Sequence, residues 1–152
     1  MKNNFKIDLP IGEKIELKVI NWLCEKDLIL LDRNKNNKYD FLLNNNKSYE
    51  VKYDRKAHIS GNLAIEYYCY NKPSGIYSTI SDFYIFYIKN GINSFGFNIL
   101  FFETKDLKEL ISINVNNSHK RFESIWGGDN NKSKFFLIPV GFLEYFAKNY
   151  KI

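Results

Sequence analysis

Three Glu-x-Lys triplets occur in the chain: Glu16-Leu17-Lys18, Glu50-Val51-Lys52 and Glu103-Thr104-Lys105. An acid and a lysine two residues apart share a face only on a strand, where they project about 6 to 7 Å from each other; on a helix they diverge by about 200°. Only the middle triplet sits inside a clear period-two run, "SYEVKY", just after the polar turn Asn44-Asn45-Asn46. Asp40 lies ten residues before Glu50, in "KYDFLL", and the turn predicts that the two segments pair antiparallel. The carboxylates of Asp40 and Glu50 then meet at one end of a sheet. Two hard oxygen ligands, completed by the carbonyl of Val51 and by water, suit a Mg²⁺ (or Mn²⁺) ion that also has a phosphate to bind. Lys52 beside them is placed to orient an attacking water and to neutralise charge on phosphoryl oxygens. Taken alone, Glu50 and Lys52 read as the ion pair of a solvated strand face, worth under about 1 kcal/mol. Asp40 is what sets this copy apart.

The elements that must position these residues follow from periodicity. Apolar residues at 11, 15, 19, 22 and 23 predict a helix over 10–26, with Pro10 in its first turn. Strands over 28–32, 38–43 and 47–54 form a meander. A further strand is expected over 62–70, ended by the punctuation "NKPSG", then a helical turn within 76–82. Strands over 83–89 and 94–102 flank the turn "NGIN"; Thr104 caps a helix over 104–112. Residues 114–133 read as a loop, 134–140 as a strand, and the segment from Gly141 as a terminal helix. If the loop 54–61 closes a hairpin with Lys52 opposite Ala64, then Glu66 faces Glu50 as a third carboxylate; a register slipped by one sends it to the other face. Arg55, Lys56 and His58 form a basic loop beside this strand, suited to phosphates or simply solvated. Lys72 and Ser74 of "NKPSG" are suited to phosphate contact or simply to making a turn.

Asp40 followed by Glu50-x-Lys52 resembles the PD-(D/E)xK nuclease superfamily, which includes restriction endonucleases, Holliday-junction resolvases and phage exonucleases. Asp40 matches the lone acid of the first motif, and Glu50 and Lys52 match the second. Gly12-Glu13 matches a Gly-Glu near the start of the first helix that adds a carboxylate in many members. Tyr39 stands where the family often has proline. The block "GNLAIEYYCYNKPSGIYSTISDFYIF" is similar to one carried by a subgroup of phage and bacterial members. The resemblance covers residues 10–90 and implies a restriction-endonuclease-like α/β fold: a central mixed β-sheet flanked by helices, core order αβββαβ, here with a C-terminal strand-helix extension. It implies a Mg²⁺-dependent DNA endonuclease, resolvase-like in reading DNA structure, acting as a homodimer. Asp40, Glu50, Lys52 and Glu13 would be catalytic, and Asp40, Glu50, Val51 and Glu66 would hold the metal. Arg55, Lys56, His58, Lys72 and Ser74 would contact DNA. The alternative is a module that keeps this fold and binds nucleic acid without cutting it.

Bulk properties are compatible with either. The 152 residues, 45% hydrophobic, suffice for one core, so residues 1–152 are expected to form a single domain. A net charge of +5 permits attraction to a polyanion, but 19 of the 22 basic residues are lysine and only Arg33, Arg55 and Arg121 can make forked phosphate contacts. Cys24 and Cys69 have neither CxxC spacing nor a histidine pair nearby, so both are expected as small core residues. With no apolar leader and no run long enough to span a bilayer, the expected setting is the cytoplasm, or a host cytoplasm for a phage protein, with no membrane partner.

Overall fold

The computed structural model describes residues 5–33, 38–89, 96–116 and 122–152. The expected turn over 90–93 and the third arginine, Arg121, lie outside them. Helix α1 (Phe5–Cys24) begins five residues earlier than predicted, and Pro10 lies inside it. As the sixth helical residue Pro10 has no N–H for the carbonyl four residues before it, so it costs one intrahelical hydrogen bond without marking the boundary. Of the predicted apolar arc of α1, Val19 and Leu23 are buried, joined by Ile20 from outside it. Strands β1 (Leu30–Arg33), β2 (Phe41–Leu43) and β3 (Ser48–Tyr53) form the expected antiparallel meander.

After β3 the chain departs from the expected hairpin. A single helical turn, α2 (Ala57–Ser60), is closed by Gly61 at φ 70°, where a residue without Cβ turns the chain at low cost. Asp54 fixes this corner, accepting from Lys56 N at 2.8 Å and Ala64 N at 3.0 Å. Strand β4 (Asn62–Cys69) therefore leaves β3, and Lys52 does not pair with Ala64 nor Glu50 with Glu66. Instead β4 pairs with the two-residue β5 (Lys72–Pro73) and with a distant strand near the C-terminus. The expected turn within 76–82 is a 3₁₀ turn, Gly75–Tyr77. Strand β6 (Phe83–Tyr87) then returns to lie parallel to β3, followed by antiparallel β7 (Ile99–Glu103) and α3 (Thr104–Asn116). Thr104, expected to cap α3, is its first residue, and its hydroxyl lies 3.2 Å from that of Ser81.

The expected loop 114–133 holds the end of α3 and a strand, β8 (Glu123–Gly127), which pairs with β9 (Ser133–Pro139). The expected terminal helix is shorter: α4 (Val140–Phe146) gives way to β10 (Lys148–Tyr150), which edges β7. Two sheets result. The first is mixed, in the order β1-β2-β3-β6-β7-β10; the second is antiparallel, in the order β5-β4-β9-β8, and was not anticipated as a separate sheet.

An apolar cluster covers each face of the mixed sheet. Val19, Ile20 and Leu23 of α1 pack with Tyr49, Val51 and Ile85 on one side. On the other, Tyr84, Phe86 and Leu100 pack with Leu63, Ile65 and Phe136 of the second sheet and with Leu107 of α3. The cysteines are free and half-buried rather than fully interior. No helix among the described residues is long and apolar enough to cross a membrane.

Candidate active site

The register of β2 on β3 is set by aromatic rings on the α1 side of the sheet. Phe41 stacks on Tyr49 at 5.1 Å, Tyr49 on Phe83 at 5.1 Å, and Phe83 packs on Phe101 at 5.0 Å. Such cross-strand pairs resist a one-residue slip, which would exchange the two faces of β3. With Phe41 opposite Tyr49, Asp40 stands just before β2, alongside residues 49–51 of β3. Asp40 N donates to Tyr49 O at 2.8 Å, and Val51 N donates to Asp40 Oδ2 at 2.6 Å. Asp82, at the entry to β6, pins the other end of β3: it accepts from Ser48 N at 2.9 Å, Ser48 Oγ at 3.0 Å and Lys47 Nζ at 2.9 Å. The Ser48 N–H above all, despite some burial, holds the Asp82 carboxyl below the ordinary aspartate range.

Glu50 and Lys52 project from the opposite face of β3, in register with Tyr84 and Phe86 of β6. Lys52 Nζ lies 2.5 Å from Glu50 Oε1; the Glu50 side chain is 12% exposed and that of Lys52 45%. Burial first, then the nearby Glu50 charge, raises Asp40 from 3.8 to about 7, against the pull of Lys52 and the Val51 N–H. Burial pulls the Lys52 ammonium down, but Tyr84, Glu50 and Asp40 outweigh it and hold lysine above its usual value. Tyr84 is buried and its phenol is raised, by burial first and further by Glu50, Asp40 and Glu66, against the pull of Lys52. The site is thus a coupled set of two carboxylates, a cation and a neutral phenol.

A cleft of about 610 Å³ opens beside it, lined by Lys52, Arg55, Lys56 and Tyr84 on one side and by Ala64, Glu66, Phe135 and Leu137 of the second sheet on the other. Of the expected phosphate contacts, Arg55 and Lys56 border this cleft; His58 on α2 and Lys72 on β5 are exposed and do not. Ser74 does not face solvent freely: its hydroxyl makes a short hydrogen bond to Glu66 Oε1. The next residue, Gly75, has φ +50°, and a Cβ there would stand 2.2 Å from the Glu66 carbonyl oxygen. The "KPSG" turn therefore clasps Glu66 from backbone and side chain together. Glu66 faces the cleft from the second sheet, but is not gathered with Asp40 and Glu50: among the described residues no three acid, histidine or cysteine side chains stand together as a ready metal cage.

Gly12 also lines the cleft, whereas Glu13 is exposed on α1 and outside the lining. The α1 carboxylate whose field reaches Asp40 is Glu16, held by Arg33 Nη2 at 2.9 Å. Glu16 and Tyr84 are the two site members that the motif did not single out. Glu16 belongs to the first Glu-x-Lys triplet, and its position nearer the apolar arc of α1 was a signal; Tyr84 is masked in the continuous apolar run "FYIFYI".

The donor set fits a hard divalent cation. Asp40 uses Oδ2 for Val51 and Glu50 uses Oε1 for Lys52, and each carboxylate retains a second oxygen. Asp40 is raised by burial first and then by the Glu50 charge, both of which a bound dication would offset, and Mg²⁺ takes one or two protein carboxylates, leaving the rest of its shell to water and phosphate. Val51 contributes its N–H to Asp40 and buries its side chain on the α1 side. No protein-family model matches the chain, and neither a curated protein nor a solved structure does.

Proposed function

We propose that this protein is a Mg²⁺- or Mn²⁺-dependent deoxyribonuclease of the PD-(D/E)xK type, hydrolysing phosphodiester bonds at the Asp40–Glu50–Lys52 constellation. The observation that carries the reading is the Asp40–Glu50 pair: two half-buried carboxylates, Asp40 held to the Val51 N–H at 2.6 Å from just before β2 and Glu50 on β3 with a lysine 2.5 Å away, near enough that the Glu50 charge helps burial raise Asp40 to about 7. A solvated ion pair needs neither the second acid nor the burial.

Asp40 and Glu50 would hold the metal, which when bound supplies a Lewis acid for the phosphate and a lowered pKa for its water. Lys52 stays protonated, so it acts as a fixed positive charge beside the reacting phosphate and not as a base. Arg55 and Lys56 at the cleft margin are placed to grip the flanking backbone. Asp40 sets the pH response, because a proton on it competes with the cation.

The substrate we infer is a DNA structure rather than a long specific sequence; a homodimer would present two such sites to two strands. The test is cleavage of supercoiled, branched and single-stranded DNA with Mg²⁺ and with EDTA, comparing wild type with Lys52→Ala and Glu50→Ala. Metal-dependent cutting lost in both variants is expected. A wild type that cuts none of these substrates overturns the reading, and salt-dependent binding without cutting moves the protein to the non-cleaving alternative.

A further inference from the structure

The face of the second sheet that looks away from the cleft carries an unexplained strip. In β8 and β9, Ile125, Phe135 and Leu137 line the cleft, so alternation sends Trp126 and Lys134 to the other side. There the register of four strands aligns Trp126, Lys134, Tyr68 and Pro73 in one row. Lys134 Nζ lies 4.5 Å from the centre of the Trp126 ring and 5.6 Å from that of Tyr68. Beside the row, Lys132 Nζ lies 4.7 Å over the Tyr70 ring.

Burial does not account for these rings. Packing on this face reaches Phe136, stacked on Tyr67 at 4.0 Å, and stops there. Trp126 remains 57% exposed and Tyr70 61%. Nor does acid–base pairing among the described side chains account for the lysines. The carboxylates of this sheet, Glu66 and Glu123, stand in register with Phe135 and Leu137 and belong to the cleft face. What is left is a row in which the exposed Trp126 and Tyr70 rings and the half-buried Tyr68 ring alternate with the Lys134 and Lys132 cations. That is the chemistry of an unpaired nucleotide: a base has a flat face for the ring, and the phosphate next to it needs a cation. A paired base in a duplex offers no such face.

We propose that the Trp126–Lys134–Tyr68 row, extended by Tyr70 and Lys132, is a stacking site for single-stranded nucleic acid. The sheet edge at Gly127 and Gly128 lines the cleft and adjoins Trp126, so an unpaired strand leaving the cleft over that edge reaches the strip. In this role the strip rests on the nuclease reading, and it adds an unpaired strand to the substrate; its capacity to bind does not depend on cutting.

The chain has two tryptophans, of which Trp22 packs against the α1 core and Trp126 is exposed, so intrinsic fluorescence reports the strip. Oligothymidylate and oligouridylate, a blunt duplex and heparin are titrated in EDTA, with emission and anisotropy read together and cleavage assayed separately with Mg²⁺. The two single-stranded oligomers are expected to quench the emission, and the duplex and heparin to do so far less. Trp126→Ala removes the quenching and weakens binding about tenfold. Lys134→Gln flattens the dependence of log affinity on log salt by about 0.7. Quenching by one oligomer only supports the strip and assigns it to DNA or RNA. Quenching by a wild type that never cuts supports the strip while overturning the nuclease reading. Cutting without quenching, or equal quenching by heparin or duplex, overturns the strip.

Discussion

Glu50-Val51-Lys52 and Glu103-Thr104-Lys105 are the same triplet in two settings, and in both the acid and the lysine meet, at 2.5 Å and 3.2 Å. Their surroundings differ. Glu50 is 12% exposed on an inner strand, with Asp40 and Tyr84 beside it, whereas Glu103 is 48% and Lys105 78% exposed where β7 ends and α3 begins. Lys105 is raised chiefly by its hydrogen bond to Glu103, a local effect in water. The remaining triplet shows the helical case: Glu16 turns to Arg33, while Lys18 donates to the Tyr87 hydroxyl at 3.1 Å. An acid near a lysine is therefore cheap. A second carboxylate held beside the first by the backbone of the same strand is not, and that is where chemistry becomes available.

The largest expected effect separates the two strand copies by activity. Lys52→Ala should lower metal-dependent cleavage by about 100- to 1,000-fold, while Lys105→Ala leaves both the rate and the melting temperature unchanged; equal losses would dissolve the distinction. Next comes the cost of the neighbouring carboxylates. Between pH 3.8 and about 7 the folded protein holds a proton on Asp40 that the unfolded chain has lost, so this group subtracts stability as pH rises. Asp40→Asn should accordingly stabilise the metal-free protein on the order of 2–4 kcal/mol at pH 8 and progressively less toward pH 4, read by urea melts across that range.

A smaller effect is the response to the cation itself. Mg²⁺ should raise the melting temperature of wild type more at pH 8 than at pH 6, as Asp40 sheds its competing proton, and should do nothing for Asp40→Asn. The smallest concerns Asp82, whose carboxyl is depressed. Its contribution is present above the unfolded value of 3.8 and is lost as pH falls through the folded one. The stability gap between wild type and Asp82→Asn should narrow as pH falls below 3.8, whereas a gap of constant size would make the Ser48 contacts independent of charge.

The site strands were legible because their signals are local. "SYEVKY" alternates, Asn44-Asn45-Asn46 turns, and the aromatic rings that hold the register lie within the same two segments. The second sheet was not, since β4 reads correctly as a strand yet finds its partner far along the chain in β9. Strand β8 hides for another reason: Glu123, Ser124 and Trp126 are all exposed, so there is no apolar period to see. With β4 assigned to the wrong neighbour, Glu66 was set opposite Glu50 instead of across a cleft from Lys52. For α1, the resemblance pointed to Glu13, whereas the carboxylate whose field reaches Asp40 is Glu16, held by Arg33 of β1.

Strand β3 gains its inner neighbour from β6, which runs parallel to it and arrives only after residues 54–82 have been laid into the other sheet. A parallel partner cannot grow from a hairpin, and the ends of that crossover must be brought together before the pairing repays the loss of chain freedom. Tyr84, which forms the floor beneath Lys52, comes with β6. Refolding from denaturant should therefore recover the α1 and meander signals ahead of cleavage, because the reacting groups are assembled by one of the least local steps available to this chain.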